Sequence, residues 1–258
     1  MITRRDFLKV TAAGGALASL GSVTEAKATM QAVVPDDGFC HETQREIPVI
    51  ADVDLVVAGG RSRAVAAAIA AAKTGCKVYL IGYMPYLGED ICGSHLYERK
   101  AEEKPQTALA RKLFPGETFP TPLHIKKTLE DELIDNNVQF LYSSYVTNVL
   151  TDPAGKPAGI VIANRSGRQA IRCKAIIDAT HNAAVARLFG AGCKPFTPGT
   201  QEFCYTVVGN TKKEAPEIIA AEELPQAIKV EGKSYPVTRY TFRLPLKDDS
   251  YDEAFLAN

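Results

Sequence analysis

The sequence predicts an α/β fold: a parallel sheet entered through a strand, glycine turn, helix and strand, with an inserted β-meander and then the start of a β-rich second part. Three observations carry this. Residues 53–82 read VDLVVAGGRSRAVAAAIAAAKTGCKVYLIG, in which an apolar run (Leu55 to Ala58) meets Gly59-Gly60 and an alanine-rich helix from Ala64 to Lys73. A stop at Gly75 and a second apolar run, Val78 to Ile81, complete the scale of one βαβ unit, about 30 residues. Further on, two strand-like runs, Ala158 to Ala163 and Ala170 to Ala179, flank the turn Ser166-Gly167-Arg168. The second run ends CKAIIDA and leads into an alanine-bearing helix, Asn182 to Gly190, which reads as a return to the parallel sheet.

In chain order, residues 1–28 read as a twin-arginine signal peptide. Thr3-Arg4-Arg5-Asp6-Phe7-Leu8-Lys9 fits the [ST]-R-R-x-F-L-K pattern, and Ala26-Lys27-Ala28 is an A-x-A cleavage site. The stretch between them, Val10 to Val23, is too short and glycine-rich to span a membrane. Residues 29–50 form a linker, 51–195 a first domain and 196–258 part of a second. Within the first domain, 97–122 is a charged, proline-bearing excursion with a short helix near Thr107 to Leu113. Leu123 to Asn136, with apolar residues at Ile125, Leu129, Leu133 and Ile134 and charges between them, reads as an amphipathic helix. Phe140 to Leu150 reads as one strand, and strands are also expected near Phe203 to Val208 and Tyr235 to Leu244.

The chain has 258 residues, 30 basic and 30 acidic groups and 46% apolar residues, so nothing points to nucleic acid or a disordered tail. Six cysteines show no C-x-x-C spacing and no disulfide framework. The four histidines have no H-x-x-x-H pattern, so no metal site is predicted.

Taken together, the glycine turn, the Tyr86-Leu87-Gly88 loop, the amphipathic helix, the meander and the IIDAT return resemble one domain type. It is the Rossmann-like FAD-binding domain of glutathione-reductase-type flavoproteins. More narrowly, the chain is similar to exported FAD-dependent oxidoreductases whose domain begins DVVVVGGGPAGVAAAIAAARAG and returns through VIDATGDADVA. The matching stretches are Asp54 to Lys77, Tyr86 to Gly88, Phe140 to Asn164 and Ile176 to Gly190. The resemblance implies FAD as cofactor, its pyrophosphate held by backbone N–H groups and the helix dipole over Gly59, Gly60, Arg61, Ser62, Arg63 and Ala64. It places Leu87 and Gly88 along the nucleotide, the backbone of Val146 at the adenine, and Ala179, Thr180 and His181 beside the cofactor.

Three positions depart from that pattern: Arg61 stands for a glycine, Gly82 for the acid that holds a ribose, and His181 for a glycine. Glu89, also in place of a glycine, is a fourth. A lost charged hydrogen bond to the ribose alone costs about 1.5–3 kcal/mol. Arg61 and Arg63 form either a rebuilt phosphate clamp or a solvent-exposed loop. His95 and Cys92 fall where the isoalloxazine ring would approach, as surface-loop residues or as points of covalent attachment. Two functions follow. One is an FAD-dependent oxidoreductase that transfers a hydride or electrons on a small organic substrate. The other is a flavin-free, non-catalytic subunit of a split or heteromeric exported oxidoreductase. Members of the family continue well beyond this length, so the sequence reads as a truncated form, as a gene fragment, or as one half of a split enzyme whose partner chain supplies the C-terminal half. No catalytic residue is assigned.

Overall fold

The first strand, β1 (Val49–Ala58), is apolar on both faces at its carboxyl end, as a strand covered on both sides must be. It pairs in parallel with β2 (Val78–Ile81) on one side, Leu55 opposite Val78 through Ala58 opposite Ile81. On its other side lies β6 (Gly167–Asp178), also parallel, with Val53 opposite Cys173 and Ala58 opposite Asp178. The computed structural model describes residues 45–93, 104–116, 120–192, 194–209, 214–224, 227–230, 232–248 and 250. The signal-peptide reading over 1–28, most of the linker reading and His95 lie outside these residues.

Helix α1 (Ser62–Ala72) joins β1 to β2 and buries Ala64, Val65, Ala68 and Ile69, the stripe expected of a 3.6-residue period. It begins two residues before the expected Ala64, because Arg61 already adopts the extended N-cap conformation (φ −74°, ψ 160°). A short turn of helix, α2 (Glu89–Cys92), follows the Tyr86-Leu87-Gly88 loop, and α3 (Ala108–Leu113) is capped by the Thr107 side chain. In α4 (Pro122–Asp135) the Thr121 hydroxyl accepts from His124 N at 3.2 Å, and proline stands in the first turn, where its missing N–H costs nothing. Ile125, Leu129 and Leu133 are buried as expected, but Ile134 is 56% exposed. It stands one step past Leu133, about 100° round the helix from the buried row.

The expected single strand over Phe140 to Leu150 is two strands, β3 (Gln139–Leu141) and β4 (Tyr145–Thr151). They end the sheet at opposite edges, in the order β3-β2-β1-β6-β5-β4, with β5 (Pro157–Asn164) beside β6. The break has a local cause. Ser143 turns to φ 50°, and the N–H groups of Ser143 and Ser144 go to the carbonyls of Met84 and Gly82, at 3.3 and 3.1 Å. With those donors committed to the loop after β2, the segment leaves the strand ladder. β3, β2, β1 and β6 run parallel, while β4, β5 and β6 form the antiparallel meander.

One face of the sheet packs Leu55, Val57, Val78 and Leu80 against α1 and α4; the other gathers Val53, Val56, Ile81, Ile160, Ile162 and Ile171. After α5 (Ala184–Leu188), a second three-stranded antiparallel sheet has β11 (Val237–Leu246) between β7 (Gly199–Val208) and β8 (Ile218–Glu223). A two-stranded ribbon, β9 (Ile228–Val230) with β10 (Lys233–Tyr235), lies between them in sequence. Strands β8, β9 and β10 were not expected. IIAAEE in β8 has no alternation of apolar and polar residues to mark it as a strand.

Candidate functional site

Three loops meet at the carboxyl ends of β1, β2 and β6: the glycine turn, the segment after Gly82 and the residues after Asp178. In an open α/β sheet this is where ligands bind. The turn is pinned from both sides, Gly59 N donating to Ile81 O at 2.7 Å and Ala179 N to Ala58 O at 2.8 Å. Gly59 has φ 139°, and a Cβ there would lie 2.5 Å from the Ala179 carbonyl oxygen, so only glycine lets the two backbones approach this closely.

Beside the turn opens a cleft of about 310 Å³ lined by residues from all three loops and the start of β4. Gly59, Val146, Thr180 and His181, all expected at the nucleotide, line it, joined by Tyr83, Ser144, Tyr145 and Asn182. Tyr83 is its centrepiece, with ring centroids 6.1 Å from Tyr145 and 6.0 Å from His181, within range of aromatic pairing. Burial, and then the neighbouring Glu89 carboxylate, push the Tyr83 phenol up to about 12. The lining includes no lysine or arginine. The cleft is shaped for a flat, largely apolar, uncharged group.

The turn itself is a different place chemically. Arg61, read as a clamp or as an exposed loop residue, is 31% exposed and its Nε donates to Glu89 Oε1 at 3.0 Å. The two side chains that replaced glycines are each other's partners. Arg61 is 31% exposed but Glu89 only 7%, and Glu89 Oε2 has no hydrogen-bond partner. Next to them, Asp90 accepts from Ser62 N at 3.0 Å through Oδ1 and from the Ser62 hydroxyl at 2.5 Å through Oδ2. Of the backbone donors that the resemblance assigns to a pyrophosphate, the Ser62 N–H is met by the Asp90 carboxylate and the Gly59 N–H by the Ile81 carbonyl.

The remaining expected residues divide clearly. Gly60 packs against Gly82, and a Cβ on it would be 3.5 Å from the Gly82 Cα. Arg63 is exposed, while Ala64 and Leu87 are buried in the helix-side core rather than in the cleft. Gly88, at φ 77°, packs against Leu129 and Ile125 of α4. Cys92 is buried rather than on a surface loop, its thiol donating to the Pro122 carbonyl at 3.6 Å. Thr180 lines the cleft, but its hydroxyl is committed, donating to Asp178 Oδ1 at 2.6 Å and accepting from Ala184 N at 2.8 Å. Asp178 also accepts from Ala186 N at 2.9 Å, so it and Thr180 together cap α5. Burial alone would raise the Asp178 carboxyl; the donors from Thr180, Ala186 and Val185 outweigh it and hold the group below its ordinary value. Sequence reading missed Tyr83, Tyr145 and Asp90. The first lies immediately after the position of the ribose acid, which was a usable signal; the other two had none.

A parallel sheet with a glycine turn and a cleft at its carboxyl ends defines a Rossmann-like nucleotide-binding fold. The model of the FAD dependent oxidoreductase family matches residues 54–211, and the chain belongs to that family. The model of the twin-arginine translocation pathway signal sequence matches residues 1–21, which assigns the chain to that export route. No curated protein matches the sequence. A geranylgeranyl bacteriochlorophyll reductase-like protein from Thermoplasma acidophilum is 15% identical with a TM-score of 0.50, covering 75% of this chain and 56% of that one. BexE, studied for oxidation during BE-7585A biosynthesis, is 16% identical with a TM-score of 0.50, over 74% of this chain and 43% of that one. At these identities the likeness is one of fold, and the chain spans about half the length of these two structures.

FAD, the cofactor the family implies, fits these residues only in part. The cleft has the size and lining for its adenosine end, whereas at the turn a pyrophosphate meets Asp90 already on the Ser62 donors and Glu89 already on Arg61. No helix among the described residues is long and apolar enough to cross a membrane.

Proposed function

We propose that this chain is the nucleotide-holding part of an exported FAD-dependent oxidoreductase that transfers a hydride or electrons on a small organic substrate in the periplasm. The observation that carries the reading is the cleft at the carboxyl ends of β1, β2 and β6, beside a glycine turn, in a chain of this family. Tyr83, Tyr145 and His181 supply a surface for a planar base, and Gly59 supplies the close backbone approach. The twin-arginine route supports it, because that system exports proteins already folded, with cofactors inserted beforehand. A partner chain that completes the isoalloxazine side of the site is part of this proposal.

The ribose acid is absent at Gly82, but the fold does not forbid one. A Cβ there would have no neighbour closer than 3.7 Å, an ordinary contact. The test is to purify the mature protein from an export-competent host and record its visible flavin absorbance, then titrate it with FAD. Bound flavin, with affinity raised by Gly82→Glu, is the expected result. A colourless protein that takes up no flavin in either form would overturn the reading in favour of a flavin-free subunit.

A further inference from the structure

We infer that Asp90, backed by Glu89, is a built-in anion that occupies the phosphate-binding turn, so that the site admits an adenine nucleoside freely and a nucleoside diphosphate only when these carboxylates withdraw. This rests on the nucleotide-binding reading of the cleft and deepens it by naming which part of the nucleotide the resting site rejects.

The need for an anion at this place is built into α1. An eleven-residue helix leaves its first N–H groups unpaired and its amino end partly positive. Here Arg61 at the N-cap makes no side-chain capping bond, and no acidic residue stands in the first turn. The helix therefore has no cap of its own. Asp90, 28 residues away in sequence, provides one from across the turn, with one oxygen on the Ser62 N–H and the other on the Ser62 hydroxyl. Two donors engaged by the two oxygens of one carboxylate is the arrangement a phosphate would make. Glu89 adds a second negative charge that is buried and only partly matched. Its Oε1 holds Arg61 at 3.0 Å, while Oε2 stays without a hydrogen-bond partner. An incoming diphosphate would meet these two carboxylates in a part-buried site where Glu89 has a cation, Arg61, beside it. Neither carboxylate lines the cleft next door, and an uncharged adenosine there carries no charge for Glu89, beside Tyr83, to repel.

The experiment is calorimetric titration of the mature protein with adenosine, ADP and FAD, in the native form and as Asp90→Asn and Glu89→Gln. Both substitutions keep the side chain's shape, and the amide oxygen introduced by Asp90→Asn can still accept from Ser62. The native protein should bind adenosine at least as tightly as ADP. Asp90→Asn should tighten ADP and FAD by about tenfold to a hundredfold, the scale of one charge-assisted interaction, and leave adenosine unchanged. Glu89→Gln should act in the same direction. ADP binding more tightly than adenosine in the native protein would overturn the inference. So would an ADP-to-adenosine ratio that neither variant moves, or no binding by any form. Flavin that binds equally well to native and Asp90→Asn protein would remove the built-in anion and leave the oxidoreductase proposal standing. Variants that gain ADP but never bind flavin would do the reverse.

Discussion

Arg61→Ala is the substitution whose cost the structure sets most sharply, because it separates a partly exposed cation from a buried anion. Exposed ion pairs contribute about 0.2–1 kcal/mol, whereas leaving one member of a buried pair uncompensated costs about 3–5 kcal/mol. Glu89 is 7% exposed and has one oxygen unpartnered even with Arg61 in place, while Arg61 is 31% exposed. The pair therefore falls between those limits, and Arg61→Ala should cost about 2–3 kcal/mol. Glu89→Ala leaves a guanidinium that swings into water, so its cost should be nearer to about 1 kcal/mol. The double variant removes the stranded charge and should cost less than the sum of the two, with a coupling of about 1–2 kcal/mol. Urea unfolding reads this directly, since at a slope of about 2 kcal/mol/M the Arg61→Ala midpoint should fall by about 1 M. If Arg61→Ala shifts the midpoint by less than about a fifth of that, and the two substitutions add, Glu89 does not depend on Arg61.

Two further outcomes follow from the same loops. Gly59→Ala should cost about 3 kcal/mol or more, from left-handed backbone and from a Cβ driven against the Ala179 carbonyl, and thermal unfolding would show it. An unchanged melting temperature would mean that β1 and β6 separate at their ends without penalty. Asp178→Ala should cost about 1–2 kcal/mol through loss of the α5 cap. Because the folded carboxyl lies below its ordinary value, its contribution is fully present above pH about 4 and is lost as pH falls through the folded value. The stability gap between native and Asp178→Asn protein should therefore close in acid, and a gap that widened below pH about 4 would refute the assignment.

Local pattern was enough for the elements whose neighbours in space are also neighbours in sequence. The β1–α1–β2 unit is announced by two apolar runs and a glycine pair, and the β5–β6 hairpin by Ser166-Gly167-Arg168. Ile125, Leu129 and Leu133 declare the buried face of α4, while Ile134, equally apolar, faces out. The break at Tyr142–Ser144 was hidden because it contains neither glycine nor proline; carbonyls of the loop after β2 draw the chain out of the strand. The site was half legible. Gly59, Val146, Thr180 and His181 could be placed at the cleft by comparison alone. Arg61 and Glu89 each read as a separate loss, since nothing in a sequence says that two altered positions 28 residues apart satisfy one another.

The crossing from β3 to β4 has a mechanical meaning for the cleft. Laid flat, six strands would set these edges about 24 Å apart, five gaps of roughly 4.8 Å. The chain between Leu141 and Tyr145 reaches at most about 15 Å, four steps of about 3.8 Å. The sheet must curl enough to bring these edges within that reach at this end, and the Ser144 N–H bonds the Gly82 carbonyl in the loop after β2. One wall of the cleft, the start of β4, is thus tied through backbone to the loop that carries Tyr83. That wall is tethered through backbone, whereas Asp90 and Glu89 reach the turn only through their side chains, which a change of rotamer can withdraw.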